Sequence, residues 1–311
     1  MANAAQLHVD AALSDFATAY RNDGFIADML CPVVLVDKRS DKYFTRSRRD
    51  VSTIVNDIIG PKSRANEASY DVSTSNYSVT GRALVDFVSA AEVRNADAPL
   101  DPRQLAVQNL MQKLMLAREI RVATLLTTSA NYAPGNTSAV ATPWSTVTGS
   151  DPIGDINTAM AAIPFSGEDT QFFGFCSRPV WNALRKHPDI LALKGLDKGQ
   201  VSRAEFASFF ELDAMLVSDV WYDTANPGQS ASYSRGWGSS VFGVVRVPRQ
   251  LSGPDISAFA CTFRVNPGMQ VRTWDEPSRG EGGSEAIQVE FADDEVVVQN
   301  DMGYLLTGVA A

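Results

Sequence analysis

Cations, cysteine and histidine are scarce in this chain of 311 residues. It carries 27 lysines and arginines against 36 aspartates and glutamates, which gives a formal net charge of −9. A protein that grips duplex DNA by its phosphates needs a surplus of cations, so the composition argues against groove recognition. The 45% of apolar and 20% of charged residues are values typical of a globular protein.

The chain also lacks a disulfide or zinc pattern and a long hydrophobic run. Its three cysteines, Cys31, Cys176 and Cys261, are far apart and share no metal-ligand spacing, so we expect buried thiols and no metal or cofactor. No window approaches the ~18 apolar residues of a membrane span, and the first residues do not read as a signal peptide. These features predict a soluble intracellular product without a membrane partner.

Motifs of catalysis are mostly missing as well. The run from Gly236 to Ser240 lacks a P-loop lysine and the third glycine of a dinucleotide fingerprint. A serine or cysteine nucleophile would have to recruit His8 or His187 as its base. Asp293-Asp294-Glu295 reads as a Ca²⁺ ligand run or as a solvated turn between two strands. Acids are plentiful, so a catalytic carboxylate pair stays open as an alternative.

What is present begins with a segment to residue 40 that ends in the β-like run Val33–Val36 and needs another surface to pack on. A strongly basic stretch follows, with six cations against Asp41 between residues 38 and 49. Further β-like pieces are predicted at 51–59 and 70–88. Residues 41–95 therefore read as a long, two-stranded, largely polar excursion, which is marginal in water without a partner.

The clearest element is a long helix. Asp101-Pro102 is an N-cap followed by proline at the first helical position, and no glycine or proline interrupts the chain up to residue 131. The pattern predicts a buried helix of roughly 45 Å, apolar on two sides. Arg118 and Arg121 interrupt the main apolar stripe and argue against a coiled coil.

Shorter elements follow. Helices are predicted at 151–163, at 179–188 with His187 in the last turn, and after the capping box Ser202–Glu205, with a strand at 171–177. Six strands are then predicted between 241 and 309, including 286–291 and 295–299. Nine acids against Arg279 make residues 275–301 strongly negative.

Two stretches carry a resemblance to a known family. From Tyr77 to Leu126, a strand, Asn95-Ala96-Asp97, Asp101-Pro102 and the helical Ala117-Arg118-Glu119 follow in that order, and residues 177–190 read Ser-Arg-Pro-Val-Trp-Asn-Ala-Leu-Arg-Lys-His-Pro-Asp-Ile. In this order of parts, over nearly its whole length, the chain resembles the major capsid protein of tailed bacteriophages. The resemblance implies an α+β, HK97-like capsid fold.

The same resemblance implies a division of the chain into named parts. Residues 1–40 would form the N-terminal arm, 41–95 the E-loop, and 96–170 a P-domain that includes a spine helix at 101–131. Residues 171–254 would form the A-domain, 255–299 the long P-domain strands, and 300–311 a last strand of the A-domain.

The implied function is structural and not enzymatic. Hexamers and pentamers would close an icosahedral shell around double-stranded DNA without sequence-specific binding, assembled in the host cytoplasm and found in the virion. A separate scaffolding protein, a portal and a decoration protein are the implied partners. An encapsulin-like compartment shares the fold and stays open, as does an acidic cytosolic hydrolase that uses a carboxylate pair.

Charge suggests how subunits meet. An E-loop lies across a neighbouring subunit, so we expect the basic and acidic stretches to meet between subunits. The candidate contacts are Lys38, Arg39, Lys42, Arg46, Arg48 and Arg49 on one side and Glu285, Glu290, Asp293, Asp294 and Glu295 on the other. A solvated basic face is the alternative.

Overall fold

The computed structural model describes residues 8–19, 22, 24–46, 54–61, 63–67, 72–96, 101–163, 170–195, 199–226, 228–249 and 258–310. The first half of the chain holds β1 (His8–Val9), α1 (Ala11–Ala19), α2 (Ala27–Leu30), β2 (Val33–Val36), β3 (Ser40–Arg46), β4 (Val72–Ser78), β5 (Thr80–Ser89), α3 (Ala90–Asn95), α4 (Pro102–Thr127), β6 (Thr137–Ala139) and α5 (Pro152–Ala162). The second half holds β7 (Thr170–Ser177), α6 (Arg178–Leu184), α7 (Pro188–Leu193), α8 (Arg203–Phe209), β8 (Ala214–Ser218), β9 (Trp221–Asp223), β10 (Tyr233–Arg235), β11 (Val241–Pro248), β12 (Ala260–Val265), β13 (Gln270–Glu276), β14 (Ser284–Val297) and β15 (Gly303–Thr307).

The long strand β14 organises the first sheet. The strand order is β1-β13-β14-β12-β2, and β5 also pairs antiparallel with β14, from Ser284 opposite Ser89 to Asp293 opposite Thr80. Ile287, Val289 and Phe291 alternate along β14 and are buried with the apolar face of α4. The side chains on the buried face of β14 and those on the apolar face of α4 thus form one core.

Helix α4 is shorter than the sequence predicts. Its N-cap is Asp101, which accepts a hydrogen bond from the Arg103 amide, and the α-helix ends at Thr127 rather than at residue 131. Residues 129–131 form a separate 3₁₀ turn. The Asn131 amide nitrogen donates to the Leu125 carbonyl, so a side chain satisfies an orphan carbonyl of the last turn.

The second sheet has the order β6-β15-β11-β7-β8. Helices α5 to α8 pack around it over a core that contains Trp144, Trp181, Phe206 and Phe242. The last strand, β15, pairs antiparallel with β11, so the end of the chain lies in this sheet. Among the described residues, none of the helices combines the length and hydropathy that a bilayer span requires.

The N-terminal segment packs on its own chain where it is described. β1 pairs with β13, α1 lies in the core beneath α4, and β2 pairs parallel with β12. The surface that this segment needs is therefore supplied, up to residue 36, by the same subunit.

Three predicted elements are wrong in detail. Residues 54–59 have no regular structure, residues 51–53 lie outside the described part of the chain, and the strand that pairs with β4 is the basic stretch itself, β3. β14 runs unbroken through Asp293, Asp294 and Glu295, where a turn was expected. The helix predicted at 179–188 is two helices, and His187 caps the start of α7 instead of lying in the last turn of one helix.

Candidate functional site

The described part of the basic stretch runs from Lys38 into β3. Arg39 and Lys42 are exposed, and Lys38 is paired with Asp41 at 2.8 Å. The hydrogen bond from Lys38 is the main cause that lowers the pKa of the Asp41 carboxyl. Arg46 is the last residue of β3, while Arg48 and Arg49 lie outside the described residues.

The acidic stretch is largely engaged within its own subunit. Ion pairs at 2.7 Å join Glu285 to Arg103, Glu290 to Arg272, and Glu295 to Arg121. The Asp294 carboxylate accepts a hydrogen bond from the backbone amide of Ser78, the last residue of β4. These four carboxylates therefore already hold elements of one subunit together.

Asp293 is the most buried of the acids, with an exposed fraction of 0%. Its carboxylate lies 3.5 Å from Arg82 of β5, 3.3 Å from Arg121 of α4 and 3.4 Å from Arg264 of β12. Burial raises the pKa of Asp293, nearby Glu295 adds to the rise, and the arginines oppose it. The side chain ties three elements to β14 and is not accessible to a neighbouring subunit.

These contacts also bear on the proposed cation site at Asp293-Asp294-Glu295. Within the described residues, the acidic, histidine and cysteine side chains form no group able to hold a metal ion. Guanidinium groups occupy the positions around Asp293 and Glu295 that a hard cation would need. Contact of the basic and acidic stretches between subunits stays a prediction, now without Asp293.

A second buried network was not predicted, although the sequence carries its signal. Arg118 and Glu119 are consecutive charges on an otherwise apolar part of α4, and their exposed fractions are 2% and 1%. Glu119 accepts hydrogen bonds from the amides of Ile26 and Ala27 at 3.1 and 2.9 Å and from Trp237 Nε1 at 2.6 Å. This carboxylate therefore joins α4 to the N-terminal segment and to the loop that precedes β11.

Arg118, the residue before Glu119 in α4, extends this network. Its guanidinium pairs with Asp28 and donates to the Cys31 carbonyl and to Thr262 Oγ1, each at 3.1 Å. All three cysteines are free and buried, as the sequence predicts. Burial raises the pKa of the Cys31 thiol to about 11.

A serine–histidine–aspartate arrangement bears on the hydrolase alternative. Ser150 Oγ lies 2.9 Å from His187 Nε2, and Asp189 Oδ2 lies 3.5 Å from Nδ1. However, Nδ1 accepts the Asp189 amide hydrogen, and Ser150 donates its own hydroxyl hydrogen to the Thr146 carbonyl. His187 Nδ1 and the Ser150 hydroxyl are thus engaged with backbone groups, and the histidine acts as a helix cap.

A cleft of about 500 Å³ beside the β13–β14 turn also brings carboxylates together. Asp275 and Glu285 line it together with Arg94 and Arg103. Glu285 is committed to its ion pair with Arg103 at 2.7 Å. The geometry offers a charged surface, and nothing in it assigns one carboxyl as acid and the other as base.

No family model matches the chain. It is 28% identical over 308 residues to the major capsid protein of Pseudomonas phage JBD67, covering 97% of each chain. It is 26% identical over 313 residues to the major capsid protein of Burkholderia phage BcepMu, covering 97% of this chain and 96% of that one.

Solved structures extend the comparison to the fold. A phage-related protein from Bordetella bronchiseptica superposes with a TM-score of 0.77 at 20% identity over 97% of both chains. The capsid of Cyanophage P-SCSP1u gives 0.59 at 9% identity over 94% of this chain and 90% of that one. An encapsulin complex from Synechococcus elongatus gives 0.55 at 12% identity over 97% and 95%. The resemblance seen in the sequence is confirmed: over nearly its whole length this chain is related to phage major capsid proteins, and it has their HK97-type α+β fold.

Proposed function

We propose that this chain is the major capsid protein of a tailed phage and that its hexamers and pentamers build the icosahedral head. The observation that carries the proposal is the similarity, over 97% of the chain, to two phage major capsid proteins. The role is structural. Specificity then lies in the surfaces that subunits present to one another.

The E-loop is the part of the subunit that most needs a neighbour. Ile54, Ile58 and Ile59 have exposed fractions of 97%, 79% and 57%, in a segment without regular structure. Burying a side chain of this size contributes about 1.5–3 kcal/mol. Clustered exposed aliphatics mark an interaction surface, so we place this segment against a neighbouring subunit in the shell.

The remaining partners follow from the same proposal. A separate scaffolding protein and a portal would direct assembly in the host cytoplasm, a decoration protein would bind outside, and the virion would be the final location. The net charge of −9 suits a container that confines double-stranded DNA by closure rather than by gripping its phosphates.

Electron microscopy and sedimentation of the purified full chain test this function. We expect closed particles of megadalton size from the parent chain, alone or with phage scaffolding protein. A parent chain that stays monomeric or dimeric even with its phage partners would overturn the proposal. Particles that package a protein cargo instead of DNA in the cell would identify an encapsulin-like compartment.

The E-loop contact has a matched control in the same chain. Ile59→Asp should leave circular dichroism unchanged and stop assembly, because a charge cannot be buried against a neighbour without a partner. Val147→Asp places the same charge at a side chain with an exposed fraction of 56%, against 57% at Ile59, outside the E-loop. It should assemble normally. Normal particles from both variants would remove Ile59 from the subunit contact.

A further inference from the structure

The β13–β14 hairpin carries opposite charges at its two ends. Where β13 begins, a cleft of about 250 Å³ is lined by Arg39, Arg82, Arg272 and Glu290. Arg39 is exposed, and the side chains of Arg82 and Arg272 have exposed fractions of 33% and 37%. Three arginines therefore face one carboxylate, and all three are reachable from solvent.

The positive charge of this cleft is not neutralised from below. Arg82 reaches Asp293 only through Nε, at 3.5 Å, and Asp293 is shared with Arg121 and Arg264. Glu295 is the next carboxylate, and it is bonded to Arg121. Three guanidiniums thus share two carboxylates beneath the cleft, so an acidic group that enters from outside would meet a net positive field.

The other end of the hairpin is negative. We call the tip the turn Pro277–Gly283 with its flanking Asp275 and Glu276. Asp275 and Glu281 are exposed there, while the Arg279 guanidinium lies 3.7 Å above the ring of Phe87. Around the tip, six carboxylates outnumber three arginines; they are Asp86, Glu92, Asp275, Glu276, Glu281 and Glu285, against Arg94, Arg103 and Arg279.

Within one subunit the two ends cannot satisfy each other. β13 alone separates them by about 20 Å at roughly 3.3 Å per residue. A two-fold contact that pairs tip with cleft must do so reciprocally, and it stops at a dimer, which cannot by itself build the proposed shell. A head-to-tail contact brings tip to cleft, and contacts of this kind propagate into rings or lattices.

We propose that the acidic tip of one copy docks in the Arg39–Arg82–Arg272 cleft of a second copy, as a repeated head-to-tail contact. The inference rests on the proposed function, because it takes for granted that copies of the chain assemble. The inference specifies that the tip meets the cleft and that the contact between copies is head-to-tail. Isolated exposed ion pairs contribute little each, but opposed charges steer encounter and select register.

A charge exchange tests the pairing. Arg39→Glu and Glu281→Arg each place like charges in the contact, and we expect each to slow assembly at low ionic strength roughly tenfold, the lower end of electrostatic steering. R39E/E281R in one chain restores opposite charges and should recover the parent rate within about threefold. The control K186E/D15R makes the same two charge changes at exposed residues elsewhere and should assemble at the parent rate. Single variants that assemble at the parent rate, or a double variant no faster than the singles, would overturn the proposal.

Cross-linking tests the direction of the contact. The native cysteines are buried, so a short bis-maleimide should react selectively with R39C/E281C. Head-to-tail docking predicts a ladder of dimers, trimers and larger species on a denaturing gel. A ladder that stops at dimers would indicate a two-fold contact and refute the proposal, and so would particles without cross-links. Absence of particles from the parent chain would instead count against the proposed function.

Discussion

At the scale of single residues, this subunit places two consecutive charges of α4 inside its core and gives them several hydrogen-bond partners. Glu119 receives three N–H groups, and Arg118 donates to a carbonyl, a hydroxyl and a carboxylate. Burial is the main cause that raises the pKa of Glu119, and the hydrogen bonds from Ile26, Ala27 and Trp237 oppose the rise. A buried charge is tolerated only when its lone pairs are satisfied in this way.

Replacing Glu119 by glutamine tests how far the stability of the subunit depends on these hydrogen bonds. Oε1 accepts from Ile26 and Trp237 and Oε2 from Ala27, so an amide nitrogen at either position turns a donor toward a donor. We expect Glu119→Gln to lower the free energy of unfolding of the unassembled subunit by about 1–3 kcal/mol, measured by urea titration. Glu67→Gln, at an exposed residue, is the control and should change it by less than about 0.5 kcal/mol. Equal stability of the two variants would contradict the role given to this network.

At the scale of elements, local signals decided which parts of the fold were predictable. The Asp101-Pro102 cap and the uninterrupted helical pattern located the start of α4, because capping is chemistry between neighbours in sequence. The unbroken run of β14 was missed, since Asp293-Asp294-Glu295 reads as a turn until Arg82, Arg121 and Arg264 arrive from three other elements. The break before α7 was missed because His187 is a rare N-cap.

The candidate site follows the same rule. The two charged stretches can be read directly from the sequence, because charge density is a local property. The sequence could not separate the acids that are neutralised inside the subunit from those that face solvent. That distinction depends on which elements pack against β14, and the partners of Glu285 and Glu295, which are Arg103 and Arg121, lie far away in the chain.

Removing the Asp293 carboxylate should weaken the contacts that hold β5, α4 and β12 to β14. Asp293→Asn leaves Arg82, Arg121 and Arg264 converging on a neutral group, and breaking a buried ion pair costs about 3–5 kcal/mol. We expect a loss of that size in urea unfolding of the subunit. The double variant D293N/R264M removes one uncompensated charge and should recover part of the loss. A single variant within about 1 kcal/mol of the parent would contradict the assignment.

At the scale of the whole molecule, the fold separates what stabilises the subunit from what joins subunits. Two sheets, α4 and the N-terminal segment form the cores, and the buried charges link them. The exposed Ile54, Ile58 and Ile59 and the two charged ends of the β13–β14 hairpin lie outside those cores. Variants of these surfaces should therefore alter assembly without altering folding, and variants of the buried network should do the reverse.

Shortening the proposed E-loop tests this separation most directly. Arg46 and Val72 are directly opposed in the β3–β4 ladder, so Asn-Gly in place of residues 47–71 should close the hairpin with a two-residue turn. A shorter loop lowers the entropic cost of closure, so the subunit should unfold at an unchanged or higher temperature, stabilised by up to about 2 kcal/mol. The same chain should form no particles in electron microscopy, because the exposed isoleucines of the deleted segment are gone while the cores of the subunit are intact. Closed shells from the shortened chain would show that subunits join without this loop. An unfolded chain would show that the subunit needs the loop in order to fold.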